Sequence, residues 1–166
     1  MQEPFLFART IKENIKLARN DARDTEIFEV ANNAAIHEVI NGFENGYDTM
    51  VGEKGVSLSG GQKQRLAIAR TLIRKCPILI FDDSLSAVDT ETDAAIRKAL
   101  KGESREATTI IISHRINTLA EADKIIVLED GQVLQSGTHQ ELIKEEGFYK
   151  RVWEIQNSLK KKEEII

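Results

Sequence analysis

The strongest constraint on this chain is the stretch from Leu58 to Asp89, LSGGQKQRLAIARTLIRKCPILIFDDSLSAVD. It opens on Ser59-Gly60-Gly61, and Ser59 stands three residues before Gln62, the spacing of a capping box. That predicts a helix to about Arg74, with Pro77 closing the region. The apolar run Ile78-Leu79-Ile80-Phe81 predicts a strand buried on both faces, capped by Asp82 and Asp83. A helix start with free backbone N–H groups favours an anion, and the glycines let a phosphate approach the backbone. A buried strand then delivers two carboxylates to its tip. These are parts of a site that handles phosphates.

The flanking sequence sets those parts in an α/β protein. Thr10 with Glu13, and Thr138 with Glu141, repeat the capping-box spacing and predict further helix starts. Residues 21–41 carry Ile27, Val30, Ala31 and Ala34 at helical spacing, and Asn32-Asn33 offers a break. The glycine-punctuated segment 42–57 has neither period and is predicted as loop. A helix is expected over 90–101, with Asp89 or Thr90 as its N-cap and Gly102 just past its end. Thr108–Ile112 and Lys124–Leu128 read as strands, with a short helix at about 116–121 between them. Asp130-Gly131 is a hairpin turn into Gln132–Gln135. Residues 147–159 are amphipathic and helical, followed by a charged tail. Strands alternating with helices predict a parallel sheet. Ligands of such sheets sit at the carboxyl ends of the strands, which is where Asp82, Asp83 and His114 fall.

Composition narrows the class. With 166 residues, 41% apolar and 30% charged, the chain can bury the core of one ordinary domain. No apolar run is long enough to cross a bilayer, and the first residues lack the pattern of a signal peptide. A net charge of −4 speaks against a nucleic-acid surface. The single Cys76 excludes an internal disulfide and suits a buried strand entrance.

Each polar feature has a plain structural reading beside the chemical one. Asp82 could hold Mg²⁺ through water, and Asp83 could orient or deprotonate an attacking water; an acid pair at a solvated strand end looks the same. His114 could donate to a terminal phosphate or be a loop histidine. His37 and His139 lie on predicted helices and read as structural.

The order of the motifs decides between these readings. Leu58-Ser59-Gly60-Gly61-Gln62, then Ile78–Asp82, then Ser86-Ala87-Val88-Asp89, then Ser113-His114 resembles the ATP-binding cassette (ABC) family. These match its signature motif, Walker B, D-loop and switch histidine. Gln2-Glu3-Pro4 is similar to the Q-loop, and Thr49–Gly55 resembles the TxVGExG segment of the family's exporters, the multidrug and lipid exporter type. The resemblance implies a P-loop NTPase-like parallel sheet with a helical subdomain. It divides the chain into a helical, signature-bearing part at about 10–75, a Walker B-to-hairpin core at about 76–137, and C-terminal helices at 138–166.

Roles follow from the same resemblance. Gln2 would touch Mg²⁺ or the attacking water and sense the membrane domains. Ser59, Gly60, Gly61 and Gln62 would contact the γ-phosphate of ATP on an opposite subunit. Asp82 would hold Mg²⁺ through water, Asp83 would stand at the catalytic base, Asp89 would signal across the dimer, and His114 would hold the γ-phosphate. The cofactors implied are ATP and Mg²⁺. The implied partners are a second nucleotide-binding domain and transmembrane domains reached through the Q-loop region, with no nucleic acid. The implied place is the cytoplasmic face of the cell membrane.

Two departures qualify this. Position 83 is aspartate where the family has glutamate, and a shortening of about 1 Å can cost on the order of 10²-fold in rate. The expectation is the weaker half of a heterodimeric exporter. No G-x-x-x-x-G-K-[ST] occurs, so the Walker A lysine is lacking and the chain is expected to be the C-terminal part of such a domain. Alone it is then expected to be catalytically incompetent, to leave its strands short of one continuous sheet, and to self-associate through unpaired edges. A non-catalytic dimerising fragment, and a soluble cassette ATPase acting on chromosomes or ribosomes, are the alternatives.

Overall fold

The computed structural model describes residues 4–52, 56–84, 88–103 and 107–163. Contacts divide the chain into two compact units, 1–112 and 113–166.

In the first unit, β1 (Arg9–Thr10) pairs antiparallel with β2 (Met50–Val51). Between them lie α1 (Ile11–Lys16), α2 (Asp24–Asn33), α3 (His37–Asn41) and a 3-10 turn at Gly46–Asp48. The segment 42–57, expected to be loop, therefore carries a short strand; its two residues were too few to show a period. The break expected at Asn32-Asn33 falls where α2 ends.

The helix α4 (Gly60–Leu72) begins with the expected capping box between Ser59 and Gln62. It packs against α1 and α2, and buries Leu66, Ala69 and Leu72 at three-residue spacing. Ile11, Ile15, Ile27, Ile40 and Ile73 complete the centre of this core. Each such side chain contributes roughly 1.5–3 kcal/mol when fully buried.

Next come β3 (Ile78–Asp82), α5 (Thr90–Glu103) and β4 (Thr108–Ile112). The two strands pair in parallel, Ile80 opposite Ile110 and Asp82 opposite Ile112. Burial on both faces is not what β3 shows. Phe81 is 2% exposed, but Ile78 and Ile80 are 59% and 60% exposed. Ile110 and Ile112 line the same face of the pair, 45% and 49% exposed. An apolar run reports only that both faces of a strand are apolar; among the described residues one face is covered and the other is open. The helix α5 also runs through Gly102 rather than stopping before it. A glycine costs about 1 kcal/mol inside a helix without forbidding it.

In the second unit, α6 (Ile116–Leu119) precedes a hairpin of β5 (Ile125–Glu129) and β6 (Gln132–Gly137). Its turn residues Asp130 and Gly131 have φ of 48° and 76°, the positive values that favour this dipeptide in tight hairpins. The capping box of Thr138 and Glu141 opens α7 (His139–Leu142), and α8 (Phe148–Glu163) follows. The helix continues four residues beyond the expected end at 159, through the lysines that had read as a tail. Ile116, Ile125, Leu142 and Tyr149 form this unit's own core.

The described strands pair as three two-stranded sheets, β1–β2 and β3–β4 in the first unit and β5–β6 in the second.

Candidate functional site

The N-terminus of α4 is built as the sequence suggested. The Gln62 N–H donates to Ser59 Oγ at 3.3 Å, and the Ser59 N–H donates to Gln62 Oε1 at 2.9 Å. The box consumes those two donors and leaves the N–H groups of Gly60 and Gly61 at the head of the helix. Nothing lies within 4 Å of where a Gly60 Cβ would stand, so this end is open to a ligand. A helix of 13 residues carries a full dipole toward it.

The carboxylates lie elsewhere on the same helix's path. Asp82 ends β3 with an exposed side chain, and Asp83 follows half-buried at φ 47°. Left-handed backbone costs a non-glycine residue about 1–2 kcal/mol. The geometry is held because the Asp83 N–H donates to the Ile112 carbonyl at 3.0 Å, one step beyond the paired strands. Ser84 Oγ donates to the Asp82 carbonyl at 3.2 Å and closes the turn. Both acids line a cleft of about 460 Å³, whose opposite wall is Gln64, Ile68 and Thr71 of α4.

Gln64, the nearest of these wall residues, stands four positions from Gly60, and Thr71, the farthest, eleven, or about 6 and 17 Å along a helix at 1.5 Å per residue. The helix head and the cleft thus occupy successive stretches of α4, the near edge of the cleft lying about one turn from the head.

Asp89 is the N-cap of α5. The Thr92 N–H donates to its Oδ1 at 2.9 Å, and Thr92 Oγ1 donates to its Oδ2 at 2.7 Å. These bonds hold its carboxyl below the usual range, the backbone bond most, with the charge of Arg65 adding to the effect. Ser86 and Ala87 of the same motif lie outside the described residues, as do Gln2 and the 53–55 part of the TxVGExG segment.

His114 belongs to the second unit and has an exposed side chain. The two histidines read as structural are so placed. The Tyr47 hydroxyl lies 2.7 Å from His37 Nδ1, and the Tyr149 hydroxyl 2.9 Å from His139 Nδ1. Burial pushes the Tyr47 hydroxyl up to about 12.

Sequence reasoning passed over Asn14, Arg70 and Gln64. Asn14 is fully buried; its Oδ1 accepts from the Phe7 N–H, and its Nδ2 donates to the Phe7 and Thr10 carbonyls. Arg70 of α4 reaches the Phe5 carbonyl with Nη1 at 3.2 Å. The segment beside Pro4 is thereby tied to the helix that carries Ser59. A polar residue on the buried side of an amphipathic helix was the signal available. Gly52 was flagged only as part of a motif. At φ 102°, a Cβ there would meet the Ala8 Cα at 3.0 Å, so β2 can approach β1 this closely only with glycine.

The donor set suits a weakly held divalent cation. Among the described residues no group of three or more His, Cys, Asp or Glu converges as a protein cage. Two adjacent carboxylates at an open cleft are the kind of partial set that Mg²⁺, which keeps several waters and binds phosphates, is held by.

The chain is similar to known proteins. The family described as ABC transporter matches residues 1–86. A protein of Staphylococcus aureus strain bovine RF122 / ET3-1 that bears the name of a multidrug export ATP-binding/permease protein is 49% identical over 156 residues. The match covers 94% of this chain and 27% of that protein. The same figures hold for the protein of that name in strain NCTC 8325 / PS 47. Among solved structures, a bacterial Atm1-family ABC exporter with ATP bound superposes with a TM-score of 0.87 at 42% identity. It is matched over 93% of this chain and 27% of its own. The chain thus spans about a quarter of the length of the relatives it matches.

Proposed function

Because the chain belongs to the ABC transporter family, with its P-loop NTPase-like fold, we propose that it supplies the C-terminal share of the ATP-handling apparatus of a membrane exporter. The observation that carries this is the separation of the open helix head at Ser59–Gly61 from the Asp82-Asp83 cleft. Their placement on successive stretches of α4 supports service to two nucleotides rather than one. The head of α4 reaches a nucleotide held by a second nucleotide-binding domain, while Asp82 and Asp83 face a nucleotide of their own. The subdomain limits near 75 and 137 belong to this reading.

Phosphoryl transfer needs positioning and charge more than covalent chemistry. In the assembled site the N–H groups of Gly60 and Gly61 and the dipole of α4 stabilise γ-phosphate charge. Ser59 and Gln62 hold that turn in shape through their mutual cap. Asp82 would hold Mg²⁺, and the ion, when bound, would neutralise phosphate charge. Asp83 orients the attacking water, His114 donates to the γ-phosphate, and Asp89 reports engagement of the partner. Gln2 is assigned contact with the ion and the membrane domains from its motif alone, and Phe5 and Phe7 form an exposed, edge-on pair with ring centroids 5.0 Å apart. No described helix is long and apolar enough to cross a membrane; the proposed place is the cytoplasmic face, against the membrane domains of the transporter.

The 166 residues alone are proposed not to hydrolyse ATP, since nothing in the sequence supplies a phosphate-cradling lysine loop. Their open face of Ile78, Ile80, Ile110 and Ile112 favours self-association. Calorimetric titration of the chain with Mg-ATP tests this. Heat without a saturable micromolar site is expected, and micromolar binding overturns the division of labour. In the assembled transporter, Ser59→Arg is expected to abolish hydrolysis. An undiminished rate would remove Ser59 from the site.

A further inference from the structure

The backbone of His114 is gripped by a helix that the reading above gives no part in ATP handling. Gln156, on α8, donates from Nε2 to the His114 carbonyl at 2.7 Å and accepts at Oε1 from the Ile116 N–H at 3.0 Å. The Arg115 N–H between them is taken by Ser113 Oγ at 3.1 Å. A primary amide presents a donor and an acceptor side by side, so it pairs with a carbonyl and an N–H two residues apart as a neighbouring strand would. Only one orientation of the Gln156 amide satisfies both partners. Just beyond, Ile116 is 5% exposed and packs with Leu142 and Tyr149. The His114 side chain is left outside while its carbonyl and the N–H groups of the next two residues are held.

We propose that Gln156 is a positioning residue that sets the His114 imidazole for its phosphate. The inference rests on the reading of His114 given above. It makes α8 part of the catalytic geometry, since displacements of about 1 Å in a contacting group can cost 10²-fold in rate.

Two measurements test it. In the chain itself, Gln156→Ala is expected to speed amide exchange of Ile116 about fivefold and to shift the His114 carbonyl carbon resonance, as loss of one net hydrogen bond implies. Gln156→Glu keeps the acceptor for Ile116 but as a carboxylate cannot donate to His114. Its carbonyl shift should return toward wild type on acidification, when the carboxyl can donate again. Unchanged Ile116 exchange in Gln156→Ala, or a pH-independent Gln156→Glu, overturns the clamp.

In the assembled transporter, Gln156→Ala is expected to lower kcat about tenfold with KM for ATP little changed, the pattern of an interaction lost in the transition state. It should cost nothing further on a His114→Ala background. A merely structural role would lower the two variants' rates independently. A normal rate in Gln156→Ala with a defective His114→Ala overturns the inference alone. A normal rate in His114→Ala removes the reading beneath it, and the inference with it.

Discussion

Arg70 holds Asn14 at two points: Nε donates to the Asn14 carbonyl at 3.0 Å, and Nη2 donates to its Oδ1 at 3.2 Å. Both residues are 56 positions apart in sequence, and desolvation lowers the pKa of the arginine. Removing one member leaves buried donors and acceptors without partners, which costs about 1–3 kcal/mol for each group. Asn14→Ala should therefore lower the urea-unfolding free energy of the chain by about 2–4 kcal/mol. Arg70→Lys, which cannot reproduce the two-pronged contact, should cost more than a surface substitution. A midpoint within error of wild type for Asn14→Ala would show the network to be slack.

Asp83 supplies a prediction about rate. Its backbone is held by Ile112, so a longer side chain would extend the carboxylate from the same anchor. Asp83→Glu in the assembled transporter is expected to raise hydrolysis in this domain's own site by up to about 10²-fold. Single-turnover measurements with the partner site disabled provide the reading. Equal rates would take away the basis for assigning this chain to the weaker half of an asymmetric pair.

Acid should loosen the start of α2. Glu26 accepts from the Arg23 N–H at 3.0 Å and pairs with Arg19, and these contacts push its carboxyl from 4.5 down to about 2, the backbone bond contributing most. A depressed carboxylate adds stability that is complete above its unfolded value and disappears as pH falls through the folded one. The window is thus from pH 4.5 down to about 2. Amide exchange over α2 should accelerate across it, and Glu26→Gln, which can still accept the Arg23 N–H, should flatten the dependence. Superimposable pH profiles would contradict the assignment. Glu13 and Glu141 are depressed for the same reason, by the Thr10 and Thr138 caps.

The open β3–β4 face predicts association of the isolated chain. Ile80 is its most exposed isoleucine. Ile80→Lys should shift sedimentation of the chain toward monomer, because a charge there opposes burial against a second copy. A wild-type chain that is monomeric at high concentration would end that proposal.

Much of the site was legible because it is local. The capping boxes at Ser59 and Thr138 need only a four-residue pattern, and the strand ending in Asp82 needs only an apolar run with a proline before it. What escaped was decided by contacts between distant segments. Asn14 and Arg70 look like ordinary polar residues of two helices until those helices meet. The exposure of Ile78 and Ile80 depends on what covers a sheet face, which an apolar run does not record. Gln156 stands on a helix whose sequence reads as amphipathic filler, yet both ends of its amide are engaged with the chain 40 and 42 residues earlier.

Asp89 has a consequence for α5. Its two carboxylate oxygens are both occupied at rest by Thr92, so the charge is parked on its own helix. Each oxygen keeps a lone pair to spare, so a further donor would share this carboxylate with the cap of α5. Any weakening of the Thr92 bonds would be felt at the start of the helix that carries the buried Ile96 and Leu100.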